Sequence, residues 1–412
     1  MRVRSSYPLL KRGSVQAWKR PFSMRLGIDV SMLLLLLPAT LAVGQQEQWL
    51  QYRSAAEARQ IVGDMGYNYG QPVSKAPENV KTPDFVADKP LFMEMKSPLA
   101  ASGSIWLAFD KSSPSGQYDR VYLDGNANGD LSDDAAVEPY QRETNRAMFG
   151  PLKIVFPSAD GPITYHLTAE LRNYSPQEAY CLLTPACWYE GPITIDGVKK
   201  FCTLIDYNVN GTFNDKSPDA GQCDRIRIGE EGGRDSRYVG NFIEVGEKLY
   251  KPEIAPDGAC ISLSEATDVA FGAIRVAQNI TSFSAGGVNG LFLCKPENGL
   301  ARLPVGEYRI QQWSIVRNDD KGARWELQAT PGSAISFAVA QNQEKELSIG
   351  EPIYSQAEYT KSGSFYSFSQ NLQGRQGERI TLTRNGSQSP PPKLRIRSGD
   401  GAYDRALSFE YG

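Results

Sequence analysis

The sequence predicts an all-β chain made mainly of antiparallel β-sandwich domains. Three observations carry that prediction. Short apolar or alternating segments follow one another from about residue 45 to the end, divided by turns of Gly, Pro, Asn and Asp. Many are rich in Val, Ile, Tyr, Phe and Thr, which suit a pleated, half-buried surface. Long helical patterns that would cross between parallel strands are missing. The 412 residues include 38 Gly and 26 Pro, and at roughly 100 to 200 residues per domain they allow roughly two to four domains, each with its own core.

In chain order, the first 28 residues carry Arg2, Arg4, Lys11, Arg12, Lys19, Arg20 and Arg25 and no acid. An apolar run from Met32 to Val43 follows. It is too short for a bilayer core that needs about 20 residues, and it suits the h-region of a secretory signal. Ala42 and Gly44 fit a small-residue cleavage site. A signal peptide over residues 1–44 is therefore expected, cut near Gly44/Gln45, with Met24 as an alternative start. A buried hydrophobic helix or a retained anchor are the other readings of the run. Export places the mature chain in the periplasm or outside the cell. Without residues 1–44 there remain 37 basic and 46 acidic residues, a net charge of −9. That balance offers no footprint for nucleic acid or anionic lipid, and no membrane span is expected in the mature chain.

Ser54-Ala55-Ala56-Glu57 fits a capping box and predicts a short N-terminal helix through Val62. The proline-rich stretch from Gln71 to Asp88, with Val80, Phe85 and Val86 as its large apolar residues, reads as extended chain draped over the first domain. Strands are predicted at Ser104 to Phe109, Arg120 to Leu123, Lys153 to Phe156, Phe201 to Ile205, Tyr308 to Val316, Ile335 to Val339 and Arg379 to Thr383. The expected domains are 45–183, 184–299 and 300–412.

Six cysteines, Cys181, Cys187, Cys202, Cys223, Cys260 and Cys294, form no C-x-x-C pair. In an exported chain an even count predicts disulfides, and proximity favours Cys181 with Cys187, Cys202 with Cys223, and Cys260 with Cys294. The alternative is that several are small buried apolar residues. The single histidine, His166, lies in the alternating segment Ile163 to Leu167 and reads as a hydrogen-bonded sheet residue. It leaves no partner for a zinc or two-histidine iron site. No G-x-S-x-G elbow, Walker loop, G-x-G-x-x-G or H-E-x-x-H is present.

The strongest chemical signal is a repeated acidic loop. Asp124-Gly-Asn126-Ala-Asn128-Gly129-Asp130-Leu131-Ser132-Asp133 and Asp206-Tyr-Asn208-Val-Asn210-Gly211-Thr212-Phe213-Asn214-Asp215 share Asp, Asn, Asn, Gly and Asp at positions 1, 3, 5, 6 and 10. Each follows a strand with an apolar last residue, Leu123 or Ile205. Hard cations take six to eight oxygens, and alternate side chains at positions 1, 3 and 5 aim three of them inward. Glycine at position 6 allows the sharp turn, position 7 offers its carbonyl, and position 9 gives oxygen directly or through water. Two structural calcium sites are expected, with metal candidates Asp124, Asn126, Asn128, Asp130, Ser132 and Asp133 in the first. The second comprises Asp206, Asn208, Asn210, Thr212, Asn214 and Asp215. Asp134 and Asp219 stand close enough in sequence to contribute. Two or three carboxylates diluted by Asn suit an extracellular site, at roughly 10⁻⁴ to 10⁻³ M. A plain Asn-Gly turn is the bland alternative.

The pattern resembles the DxDxDG calcium loops of EF-hand-like proteins and dockerins. It departs from them at position 12, where Ala135 and Ser217 replace a bidentate Glu, and in the absence of flanking amphipathic helices. Leu303-Pro304-Val305-Gly306-Glu307-Tyr308 resembles the entry to a strand in prealbumin-like and carboxypeptidase-regulatory-like β-sandwich domains, which implies that fold for 300–412. The Trp49-x-x-Tyr52-Arg53-Ser54 opening, the two loops and the closing Phe409-Glu-Tyr-Gly412 together resemble a group of uncharacterised exported bacterial proteins, which implies address and architecture only.

These readings describe an exported, calcium-binding, multi-domain β protein acting as a structural or binding module of the cell envelope or extracellular space. A glycan or an envelope component is the partner class considered, with Tyr174 to Tyr189 and Tyr354 to Phe368 as possible aromatic platforms. The alternative is a secreted carbohydrate-active enzyme using Asp/Glu acid–base chemistry. No catalytic residue is nominated, and the balance leans away from catalysis.

Overall fold

The computed structural model describes residues 46–55, 65–173 and 178–411. The expected signal peptide and its cleavage point lie outside them, as does most of the helix expected from Ser54 to Val62. Ser54 itself closes the strand Gln51–Ser54.

The chain is all-β and mainly antiparallel. Among the described residues the helical content is one 3₁₀ turn, Ala220–Gln222. The strand Ile335–Val339 stands where the sequence places it. Others run further, such as Tyr118–Leu123, Arg146–Phe156 and Gly306–Asn318. Apolar alternation marks only the buried middle of a strand, while its polar outward residues continue the ladder beyond.

Three sheets frame the region of the acidic loops. Leu91–Lys96, Ser104–Lys111 and Tyr118–Leu123 form a three-stranded meander. Asn68–Gly70 is the edge of a five-stranded sheet that continues through Ala179–Pro185, Ile163–Asn173, Arg146–Phe156 and Gln141–Glu143. A second five-stranded sheet runs Arg237–Tyr238, Arg225–Gly229, Val198–Ile205, Cys187–Ile195 and Gln51–Ser54. The first described strand, Gln48–Trp49, pairs with Cys260–Glu265 in a further sheet. Their inner faces share one hydrophobic cluster, with Phe109, Phe149, Phe156, Leu107, Leu167 and Leu204 all fully buried. Each such side chain contributes about 1.5–3 kcal/mol relative to exposure. Gln71–Asp88 runs without regular strands, as expected, and Val80 and Phe85 pack onto Phe92, Ala108 and Leu131. Buried Asp110 fastens this segment by accepting the N–H groups of Val86 (3.1 Å) and Ala87 (2.8 Å).

A second cluster gathers Ile274, Phe283, Leu303, Tyr308, Trp313 and Phe337. Its long strand Gly306–Asn318 pairs with Ser282–Gly287, Arg324–Thr330 and Ile335–Val339. The expected domain boundary at 183/184 falls inside the strand Ala179–Pro185, and Leu183 and Cys187 share the first cluster. The one at 299/300 falls at the start of Leu300–Pro304, with Cys294 and Leu303 in the same cluster. The core changes instead between Leu263 and Ile274. There the backbones of 240–242 and 288–290 touch: Asn241 N–H donates to Val288 O (2.9 Å) and Phe242 N–H to Asn289 O (3.0 Å). A Cβ on Gly240 would stand 2.4 Å from Gly290 N, so only glycine permits the approach.

The expected disulfides are not formed, and all six cysteines are free thiols. The sheets explain why. Cys181 faces Leu171 and Gly70 across its ladder, Cys187 faces Ser54, and Cys202 faces Gly191 and Ile228. Cys181 and Cys187 stand on different ladders, Cys202 on a strand and Cys223 just after the 3₁₀ turn, and five of the six are buried, with Cys260 half-buried. Burial pushes Cys187 and Cys202 up to about 12 and Cys223 up to about 11, which makes these thiols unreactive. A thiol assay without reductant should detect little in the native protein and six equivalents in denaturant; fewer than six after unfolding counts against free cysteines. His166 is a sheet residue whose Nδ1 lies 2.5 Å from the Tyr52 hydroxyl.

Candidate metal loops and the adjoining cleft

Both acidic segments connect a strand to chain that returns antiparallel to it. After the first, Val137 pairs back with Val121. After the second, Arg225–Gly229 pairs with Phe201–Ile205. The two loops also share a backbone. Position 4 is left-handed in each, Ala127 at φ 57° and Val209 at φ 58°, as is the glycine at position 6, Gly129 at 78° and Gly211 at 91°. Left-handed backbone at a β-branched valine is costly and persists only where surroundings over-determine it. The apolar residues at position 8 anchor the loops, Leu131 and Phe213 being almost fully buried.

The side chains converge in the same way twice. The position-1 carboxylate accepts N–H groups from positions 5 and 6. Asp124 takes those of Asn128 (2.9 Å) and Gly129 (3.1 Å), and Asp206 those of Asn210 (3.1 Å) and Gly211 (2.7 Å). The Asn amides of positions 3 and 5 both point at Oδ2 of the position-10 aspartate. Asn126 and Asn128 lie 3.3 and 2.8 Å from Asp133, and Asn208 and Asn210 lie 3.2 and 2.7 Å from Asp215. Positions 1, 3, 5 and 10 are thus brought together in both copies. Thr212 joins the second cluster through its hydroxyl, which donates to Asp215 Oδ2 (2.7 Å).

Three nominated side chains turn away. Asp130 pairs with Lys81 Nζ (2.8 Å) and accepts the Ser132 hydroxyl. Lys81 first, and Ser132 second, hold the Asp130 carboxyl down at about 2. At position 7 the carbonyl is the ligand the loop calls for, so this side chain is free for that work. Asn214 donates instead to the carbonyl of Ile254 (3.3 Å).

A further carboxylate stands beside each loop and takes the N–H of position 2. Asp134 does so at Gly125 (3.3 Å), and Asp224 at Tyr207 (3.0 Å), with Asp224 also accepting Asp215 N–H (2.8 Å). Asp224, fully buried on the next strand's threshold, carries no sequence signal: it follows Asp215 by an irregular stretch and belongs to no motif. Burial raises Asp124, and pushes Asp134 up to about 6 with help from the Asp133, Asp124 and Asp130 charges. Burial also raises Asp206 and Asp224, the latter reinforced by repulsion from Asp206 and Asp215. The second loop therefore has two buried carboxylates, Asp206 and Asp224, beside the half-buried Asp215.

Among the described residues no group of three His, Cys, Asp or Glu side chains forms a ready metal cluster. The donor set is of another kind, carboxylates mixed with amide, hydroxyl and carbonyl oxygens, which is the chemistry of hard cations. One atom of that set is orphaned. Asn208 Oδ1, at position 3, is buried and has no hydrogen-bond partner, and such an atom costs about 1–3 kcal/mol if left so.

The second loop also floors a cleft of about 810 Å³. One wall is the sheet edge with Tyr67 and Tyr69, the other the turn from Lys96 to Gly103, and Gly221 and Gln222 close an end. Close packing fixes both walls. A Cβ on Gly66 would fall 1.6 Å from Tyr207 O, and one on Gly211 would meet Ser97 Oγ at 3.3 Å and the Phe156 ring at 3.2 Å. Of the two expected aromatic platforms, Tyr354–Ser362 and Phe365–Gln373 form an exposed hairpin on which Tyr359, Tyr366 and Phe368 cluster with centroids 6.1–6.5 Å apart. In the other, Tyr174 lies outside the described residues and Trp188 and Tyr189 are buried, which removes them from any sugar-facing surface.

Fold and site together define an all-β protein with two matched oxygen-rich loops, one of them open to a cleft. No family model, curated protein or solved structure matches the chain.

Proposed function

We propose that the two loops hold calcium and that the protein is an exported structural or binding module of the cell envelope or extracellular space. The observation that carries the reading is the duplicated convergence of positions 1, 3, 5 and 10, with the buried Asn208 Oδ1 left waiting for an electropositive partner. Asp124, Asn126, Asn128 and Asp133 would hold one ion with the Asp130 carbonyl, and Asp206, Asn208, Asn210 and Asp215 the other with Thr212. Bound calcium neutralises carboxylates that otherwise repel one another and clips a long connection onto its sheet. The basic, then apolar, N-terminal sequence supports export, where calcium is abundant enough for sites of this charge.

Elemental analysis of never-chelated full chain should find two calcium ions per molecule. Asp124→Ala and Asp206→Ala should each lose one, and the double variant both. Absence of calcium from fresh protein, together with failure to load it by dialysis, would sink the proposal.

A further inference from the structure

We propose that the cleft beside the second loop binds an extended neutral glycan, and that the glycan's hydroxyls meet the loop's calcium through the face presented by Asn208 and Asn210. The ion's share in this rests on the calcium reading above; the glycan's share rests on the walls of the cleft.

The volume, about 810 Å³, falls among small-ligand sites, which span roughly 300–1,000 Å³. Its chemistry is unusual for its lack of free charge. Phenol rings come from Tyr67 and Tyr69, with Tyr207 carrying Arg225 on one face, and carboxamides from Asn68 and Gln222, with no Asp or Glu in the lining. The one cation, Lys96, is engaged by Glu94 and by the Ser104 hydroxyl (3.3 Å). The protein side chains thus offer a phosphate or carboxylate ligand no unpaired positive charge here, and the proposed ion is the one positive centre the cleft would present. Sugars present what this wall accepts: C–H faces that lie on aromatic rings, and hydroxyl edges that both donate to and accept from amides.

Length follows from the aromatic ledge. Tyr67 and Tyr69 are 64% and 55% exposed, Tyr69 on the edge strand Asn68–Gly70 and Tyr67 in the chain that enters it. Tyr69 stacks on Tyr180 at 5.5 Å and 18°, and this pair borders a second hollow of about 340 Å³. There Glu170 is already clamped by Arg146 and Arg172, so the aromatic faces remain the feature on offer. A ledge continuing past the cleft suits several sugar units in a row.

The metal enters by position. Asn208 and Asn210 belong both to the loop's convergent set and to the cleft lining. An ion held there faces the cleft on that side, where ligand hydroxyls can complete its six to eight oxygens.

The test is affinity electrophoresis of the full chain, in about 1 mM calcium, through gels containing xyloglucan, galactomannan, laminarin or glycol chitin. Retardation by at least one polysaccharide is expected, weakened about tenfold or more in the Tyr67→Ala/Tyr69→Ala variant and abolished by EDTA. The same samples are melted with and without calcium. A melting response without any retardation overturns the glycan and leaves the calcium reading standing. Retardation by polysaccharide that the tyrosine variant keeps in full also overturns it. Retardation that survives EDTA, while the melting temperature still responds to calcium, overturns the ion's contact with the ligand. The free edge of Asn68–Gly70 offers one rival, strand addition by an extended peptide. Saturable, tyrosine-dependent binding of carboxymethylated unfolded lactalbumin, with no polysaccharide bound, would decide for that rival.

Discussion

Stripping divalent ions from the full chain lowers its melting temperature, and lowers it more at pH 8 than at pH 5. The sign follows from the carboxylates beside the loops. Asp134 is pushed up to about 6, and Asp206 and Asp224 are raised as well, all chiefly by burial. An acid whose folded value lies above its unfolded value binds more protons in the folded state. The metal-free fold is therefore most favoured below about pH 4 as far as these groups are concerned. It loses that contribution as pH rises from there through the raised values, and is level beyond them. Under the proposed calcium reading the ion reverses the preference, since a metal binds the deprotonated form and releases protons on binding. At a free concentration about tenfold above Kd, each site adds ~1.4 kcal/mol. For two sites that amounts to about 3–4 °C in a chain of this size. Calorimetry at the two pH values, with EDTA and with calcium, checks it. Equal pH slopes in the two conditions would show that the raised carboxylates and the ion site are unrelated.

Gly66→Ala should destabilise the protein by about 3 kcal/mol, the upper range for an added methyl in a packed site. The new Cβ would lie 1.6 Å from the Tyr207 carbonyl oxygen and 2.5 Å from its carbon. Both atoms are backbone, so no rotamer change relieves the clash. Either the chain leading into Asn68–Gly70 lifts away, or the second loop moves at the residue following Asp206. In the second case the loop's calcium affinity falls too, which separates the outcomes. Urea denaturation and calcium titration of the variant read both quantities. An unchanged midpoint would mean that the two segments do not touch as described.

How far the sequence foretold this molecule depends on distance along the chain. Ile335–Val339 and the ends of the strands at Leu123 and Ile205 were legible because alternation and a turn residue are local signals. The gathering of the loop's side chains was legible for the same reason: Asp206, Asn208, Asn210 and Asp215 sit within ten residues, and the carboxamide N–H groups of both asparagines meet Asp215. Asn214 and Ser132 were misassigned as inward-facing because their partners, the Ile254 carbonyl and the Lys81-bound Asp130, come from elsewhere in the chain or compete within the loop. Asp224 was invisible, since its role depends on a strand folding back beside Tyr207. The cleft was likewise beyond reach, joining Tyr67, Lys96 and Asn208 from three separate stretches. Cysteine proximity misled because neighbours in sequence sit on separate ladders.

The placement of the first described strands constrains how the molecule assembles. Gln48–Trp49 pairs with Cys260–Ile261, and Gln51–Ser54 with Cys187–Glu190. These two strands thus have partners that emerge about 210 and about 135 residues later, long-range pairings whose closure entropy must be met before any contact rewards it. A ribosome delivers these strands long before their partners exist. Gln51–Ser54 stays unpaired until the chain has passed residue 190, and Gln48–Trp49 until it has passed 261; strand edges left open this long are the kind of surface that chaperones shield and that aggregates recruit.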